Sequence, residues 1–230
     1  NIANILLVLG VIVIIKPLDI NFSSLKQGLI YLLIATFCLM IMILNQQLDY
    51  IAGFVLLILF CTYMISQFKN TKNNDFDSGL SKEDFKLLYI LYIIIGSIVL
   101  GYGSHLFINS SIQIASFFNV PKIVISVSLV AFGTSVPELV TSIVALRKGE
   151  PNFVIGNIIG SNIINIFLVL GSSLIISDIY VTLLGIFYPF IFMIISALLL
   201  LLLLLLNTKM NRTHGFILFI LYITFIYLSF

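Results

Sequence analysis

The chain has 230 residues, of which 61% are hydrophobic and only 9% charged, with a formal net charge of +2. A soluble domain carries about 25% charged residues, so a water-soluble core is excluded. The small positive charge gives no footing for nucleic acid, and its placement is a topology signal.

Hydrophobic runs fall at about 1–15, 27–44, 51–66, 87–114, 121–146, 153–176, 180–206 and 214–230. A span needs about 20 apolar residues to cross the hydrocarbon. The pattern predicts an all-α integral membrane protein with eight segments, the first of them short for a full crossing. Segments 1–68 form one half. The stretch 69–86, rich in Lys, Asn and Asp, reads as a linker. Segments 87–230 form a second half of five spans. Cys38 and Cys61 lie inside apolar runs without metal-ligand spacing and read as small core residues. The leucine run 198–206 reads as a lipid-facing helix without chemistry.

If the segments alternate, one side holds Lys16, Lys26, Lys69, Lys72, Lys82, Lys86, Arg147, Lys148, Lys209 and Arg212, and the other only Lys122. Lys and Arg collect in short cytoplasmic loops. The 69–86 loop is therefore expected to be cytoplasmic and the C-terminus to lie outside, in a prokaryotic plasma membrane.

A repeat runs through the chain. Residues 1–10, Asn-Ile-Ala-Asn-Ile-Leu-Leu-Val-Leu-Gly, match residues 162–171 at eight of ten positions, an offset of 161. Shared Asn and Gly make this more than a coincidence of apolar composition. The first copy ends on the side where the second begins, so the two cross in opposite directions. Inverted repeats with a midplane site at their interface are a transporter architecture.

Of nine acidic residues, only Glu138 sits well inside a span, and no Lys or Arg lies in the interior of one. A charge at the bilayer centre costs at least about 2.5–3.5 kcal/mol, and such residues are functional with a named partner. Here the expected partner is a cation. Glu138 follows Gly133-Thr134-Ser135-Val136-Pro137. Pro137 has no N–H for the carbonyl of Gly133, four residues back, so the turn opens and frees backbone oxygens around Ala131 to Gly133. Hydrocarbon tolerates that only where the groups line a cavity or meet a partner. Thr134 and Ser135 add hydroxyls. In the next span, Ser161 and Asn165 share one helical face. Carboxylate, carbonyl, hydroxyl and amide oxygens are what a hard cation such as Ca²⁺ takes, six to eight at a time. Gly156 and Gly160, four apart, read as helix-packing residues. His105 reads as an interface residue.

Gly133-Thr134-Ser135-Val136-Pro137-Glu138-Leu139-Val140-Thr141-Ser142 followed by Gly156-Asn157-Ile158-Ile159-Gly160-Ser161-Asn162 resembles the second α-repeat of the calcium/cation antiporter superfamily, which includes sodium/calcium exchangers. The resemblance implies ten spans in two inverted halves and Ca²⁺ bound between two glutamates. Glu138, Thr134, Ser135, the carbonyl of Ala131, Ser161 and Asn165 would be ligands, with Asn4 the first-repeat counterpart of Asn165. It implies exchange of Ca²⁺ for Na⁺ or H⁺, with no cofactor, no enzymatic activity and no nucleic-acid partner. The segment 87–114 would be the element that slides. The repeat offset places the counterpart of Glu138 upstream of residue 1, so the chain reads as a member lacking its first two spans and needing them to complete the site. Some exchangers carry Asp where this chain has Asn165, which lowers the site's negative charge. The competing readings are a passive cation channel, which would need a continuous polar pore, and a non-transporting fragment.

Overall fold

The computed structural model describes residues 1–46, 48–74, 87–117, 131–181, 185–206 and 209–229. Within them lie eight helices: α1 (Ala3–Ile15), α2 (Phe22–Leu44), α3 (Tyr50–Asn74), α4 (Leu87–Phe117), α5 (Ala131–Lys148), α6 (Pro151–Ile176), α7 (Phe187–Leu206) and α8 (Arg212–Leu228). Each of the eight predicted hydrophobic segments contains one. Among the described residues, five helices are long and apolar enough to cross a membrane, and α1 and α8 are shorter apolar helices. Helix α3 runs on through Asn74, into the stretch read as a linker; residues 75–86 of that stretch lie outside the described residues.

Local chemistry sets the helix ends. The Asn21 side chain accepts from the Ser23 N–H at 3.1 Å and caps α2. The α5–α6 turn rests on Gly149, whose φ of +79° lies in the left-handed region that favours glycine. The Glu150 N–H there bonds back to the Ala145 carbonyl at 3.0 Å. Arg147 and Lys148 occupy the last turn of α5, where cations favour the helix dipole, and Pro151 opens α6.

The packing repeats itself with opposite direction. Helix α1 packs on α8, and its repeat counterpart α6 packs through its C-terminal half on α3. Helix α2 packs on α6, as α7 packs on α1. At one end, Leu18 and Asp19 (β1, Leu18–Asp19) pair antiparallel with Met210 and Lys209 (β2, Lys209–Met210). At the other, the Ile179 N–H donates to the Leu48 carbonyl at 3.0 Å. The repeat offset carries Leu18 to Ile179, so the two pairings are the same contact at opposite ends of an inverted repeat. Asn21 N–H also donates to Asn152 Oδ1 at 2.9 Å, which joins the end of the first copy to the start of the second. Lys16, Arg147, Lys148, Lys209 and Arg212 therefore gather at one end of the bundle. Lys209 and Asp19 form an exposed ion pair there at 3.5 Å, of the kind that contributes little.

Each copy of the repeated decapeptide contains a π-helical stretch, Ala3–Val8 in α1 and Asn165–Leu170 in α6. The offset maps the first onto 164–169, one residue from the second. The Leu9 N–H reaches back five residues to the Asn4 carbonyl. Such stretches are rare and cluster at functional sites.

Three expectations change. The leucine run is not wholly lipid-facing, since Leu200, Leu203 and Leu204 are buried while Leu198, Leu202, Leu205 and Leu206 are exposed. Every position being leucine, the sequence hid which face packs on α2. Cys61 is exposed rather than buried, and Cys38 is half-buried. Gly156 and Gly160 meet only side chains, Leu25 at 3.9 Å and the Tyr63 hydroxyl at 3.8 Å from an added Cβ. The close backbone approaches lie elsewhere, at Gly10 with Gly215 and at Gly53 with Gly171.

Candidate cation site

Where α1 and α6 cross, the repeated asparagines meet. The Asn4 amide donates to Ser161 Oγ at 3.2 Å, and Ser161 donates onward to the Ile158 carbonyl at 3.1 Å. The Asn165 amide donates to Asn1 Oδ1 at 3.2 Å, and the Asn1 amide donates to the Asn162 carbonyl at 3.1 Å. Asn162 is fully buried and donates to the Ile158 carbonyl at 2.6 Å. Amides buried in a membrane protein face other protein and use their polar atoms. Yet Asn4 Oδ1 and Asn162 Oδ1 are buried with no hydrogen-bond donor among the described residues. A buried acceptor left open is rare enough to ask for an explanation.

Helix α5 packs against the π-stretch of α1 and along α6. Pro137 sits inside α5, and one turn before it Thr134 and Ser135 face a cavity of about 670 Å³. Asn1, Asn4 and Asn165 line the same cavity, closed by apolar groups such as Leu39, Ile43, Phe190 and Met193. Ser135 is buried, whereas Thr134 and Asn165 are open to the cavity. Glu138 is half-buried, and its Oε2 is buried with no hydrogen-bond donor among the described residues. No Lys or Arg pairs with it there.

Four of the predicted residues, Asn4, Thr134, Ser135 and Asn165, thus share one cavity. Ser161 reaches it through its bond to Asn4. Glu138 is absent from its lining and stands one turn further along α5. Ala131 is the first residue of α5, eleven residues before Ser142 on the same helix. No three His, Cys, Asp or Glu side chains gather among the described residues. The cavity itself presents neutral amide and hydroxyl oxygens, with the Glu138 carboxylate one turn further along α5, and oxygens of both kinds suit a hard ion. His105 lies on the exposed side of α4 beside Asn109, 3.3 Å from its amide, and takes no part in the cavity.

Some neighbours were not singled out in the sequence. The Asn157 amide donates to Ser142 Oγ at 3.2 Å and lies 3.5 Å from the Glu138 carbonyl, tying α6 to the acid-bearing turn. Thr141 donates to the Pro137 carbonyl at 2.7 Å. Ser104 donates to the Gly133 carbonyl at 2.6 Å. The adjacency of Asn157 to Gly156 in the motif was a signal for the first. Ser104, one of several polar residues in α4, carried none.

The sodium/calcium exchanger protein family matches this chain over residues 1–69 and 88–230. A putative antiporter, CaxA, from Alkalimonas amylolytica is 31% identical across the whole chain, which spans 76% of that protein. The sodium/calcium exchanger MaX1 of Methanosarcina acetivorans is 33% identical over 69% of the chain and 43% of its own length. The solved sodium/calcium exchanger of Methanococcus jannaschii superimposes with a TM-score of 0.76, at 33% identity, over 98% of this chain and 72% of that one. The same exchanger soaked with 2.5 mM Na⁺ and 0.1 mM Sr²⁺ gives a TM-score of 0.78 over 97% of the chain. With the inverted repeat, the proline-bearing acidic helix and the crossed asparagines all in place across that extent, the chain belongs to the sodium/calcium exchanger protein family.

Proposed function

We propose that this protein exchanges Ca²⁺ for Na⁺, or for H⁺, through a site built on Glu138. The observation that carries the reading is the buried Glu138 Oε2, without a donor among the described residues, on a proline-bearing turn beside a cavity of amide and hydroxyl groups. A carboxylate that deep needs a positive partner. Thr134, Ser135, Ser161, Asn165, Asn4 and the Ala131 carbonyl supply oxygens around it. A divalent ion is balanced by two carboxylates, and the second would come from the first-repeat counterpart of α5. Na⁺ or H⁺ competes for the same oxygens, so the two cargoes cross in turn. The two units 1–68 and 87–230 act as the halves of the machine, joined through 69–86. The cation-rich end of the bundle, with Lys16, Arg147, Lys148, Lys209 and Arg212, faces the cytoplasm of a prokaryotic cell, which places the C-terminus outside.

The test is Ca²⁺ uptake into vesicles reconstituted with the full-length protein. An outward Na⁺ gradient, with Na⁺ inside, drives uptake if Na⁺ is the counter-ion, and an outward H⁺ gradient does so if H⁺ is. Uptake that proceeds with neither gradient would mean a passive channel and end the exchange reading.

Asn165 sets the charge of the site. Asn165→Asp adds a carboxylate at the cavity, and ligand charge tunes calcium affinity over decades. The Asn1 amide can turn its donor toward it. We expect the Ca²⁺ concentration for half-maximal uptake to fall about tenfold. An unchanged value would place Asn165 outside the ion's reach.

A further inference from the structure

We propose that Ser104 is a positioning residue that docks α4 on the proline-bearing turn of α5 by giving the Gly133 carbonyl the hydrogen bond that Pro137 withholds. In an unbroken helix the N–H of residue 137 would donate to that carbonyl, and proline has none. A carbonyl in hydrocarbon needs a partner from somewhere. Ser104 Oγ stands 2.6 Å from it, in a buried contact. Ser104 is also the one buried side chain of α4 among the described residues, in a helix otherwise exposed or half-exposed. One turn on, Ile108 closes over Gly133 so tightly that an added Cβ would lie 2.2 Å from Ile108 Cγ1. Phe107 meets Phe132 edge to face at 5.4 Å. Glycine and serine thus fit α4 to the turn that carries Thr134, Ser135 and Glu138. The hydroxyl fixes where the turn's free oxygen points, so a shift of α4 along α5 releases it. The docking follows from this geometry alone, and its effect on transport rests on the exchange reading above.

A double-mutant cycle in the full-length protein tests it, read by thermal unfolding in detergent. Pro137→Ala restores a helical N–H to the Gly133 carbonyl and is expected to fold at least as well as the parent. Ser104→Ala should lower Tm by about 5 °C in the parent and by almost nothing in the Pro137→Ala background. An equal drop in both backgrounds, or none in either, overturns the proposal, as does failure of Pro137→Ala to fold. If Ser104→Ala alone does not fold, the double variant decides: recovery supports the bond, and loss overturns it. Na⁺-driven Ca²⁺ uptake per folded molecule should fall about tenfold in Ser104→Ala, measured well below both melting temperatures. Parent-level uptake in that variant refutes the role in transport. Loss of the exchange reading itself would show separately, as parent uptake that proceeds with neither gradient, and leaves the Tm cycle untouched.

Discussion

Glu138→Gln is expected to abolish gradient-driven Ca²⁺ uptake, by 100-fold or more, while leaving the protein as stable as the parent or more so. The two halves of that expectation have one cause. Glu138 presents a buried oxygen with no donor, and no Lys or Arg partner, among the described residues. Removing its charge takes away the strongest oxygen of a hard-cation site. It also removes the cost of holding a carboxylate in hydrocarbon, about 2.5–3.5 kcal/mol on insertion scales. A structural ion pair would behave in the opposite way, since breaking one leaves a buried charge uncompensated and costs about 3–5 kcal/mol. Ca²⁺ adds a third readout. At 100 times its Kd, a bound ion stabilises the folded state by about 2.7 kcal/mol. The parent's Tm should rise with Ca²⁺, and that of the Gln variant should not. A variant that melts early, or still melts later with Ca²⁺, would remove Glu138 from the site.

The sequence carried the architecture because membrane chains write it in two strong signals. Apolar runs marked all eight helices, and the placement of Lys and Arg put the ends of α1, α5 and α7 together, as the Asn21–Asn152 bond and the Leu18–Met210 pairing show. The inverted repeat was legible because asparagine and glycine are conspicuous against leucine and isoleucine. It reappears in the structure as paired π-stretches and as matched contacts at the two ends of the bundle. The acid-bearing turn was legible through Pro137, whose backbone consequence is local.

What the sequence did not carry depends on which helix meets which. Pro137 predicts a homeless carbonyl at Gly133 but does not say who takes it in, and the answer, Ser104, sits 29 residues away. Likewise Asn1, Asn4, Asn162 and Asn165 belong to two copies of one motif. That Asn4 bonds Ser161 and Asn165 bonds Asn1 follows only from the antiparallel crossing. The leucine run had no periodicity to read, so its packed face was invisible until α2 was seen against it.

The glycines make the same point and yield the second large effect. Gly215→Ala and Gly53→Ala should each disrupt the bundle, whereas Gly156→Ala and Gly160→Ala should be tolerated. A Cβ on Gly215 would lie 2.8 Å from the Gly10 carbonyl oxygen and 2.8 Å from the Ile14 nitrogen. A Cβ on Gly53 would lie 2.8 Å from the Gly171 carbonyl oxygen. These neighbours are backbone and cannot swing aside, so α8 must move off α1, and α3 off α6. Overpacking a yielding core costs about 1–3 kcal/mol, and a backbone that does not yield belongs at or above the top of that range. At Gly156 and Gly160 the new methyl meets the tip of Leu25 or the Tyr63 hydroxyl at ordinary contact distance. Alanine is also the better helix former there, by about 0.8–1.0 kcal/mol. Thermal unfolding with size-exclusion profiles in detergent separates the two pairs. The inverted repeat sharpens the expectation, because the Gly10–Gly215 and Gly171–Gly53 contacts are the same contact met twice. Their alanine variants should lose Tm by similar amounts, and a tolerant Gly53 beside an intolerant Gly215 would show that the two halves no longer share one packing rule.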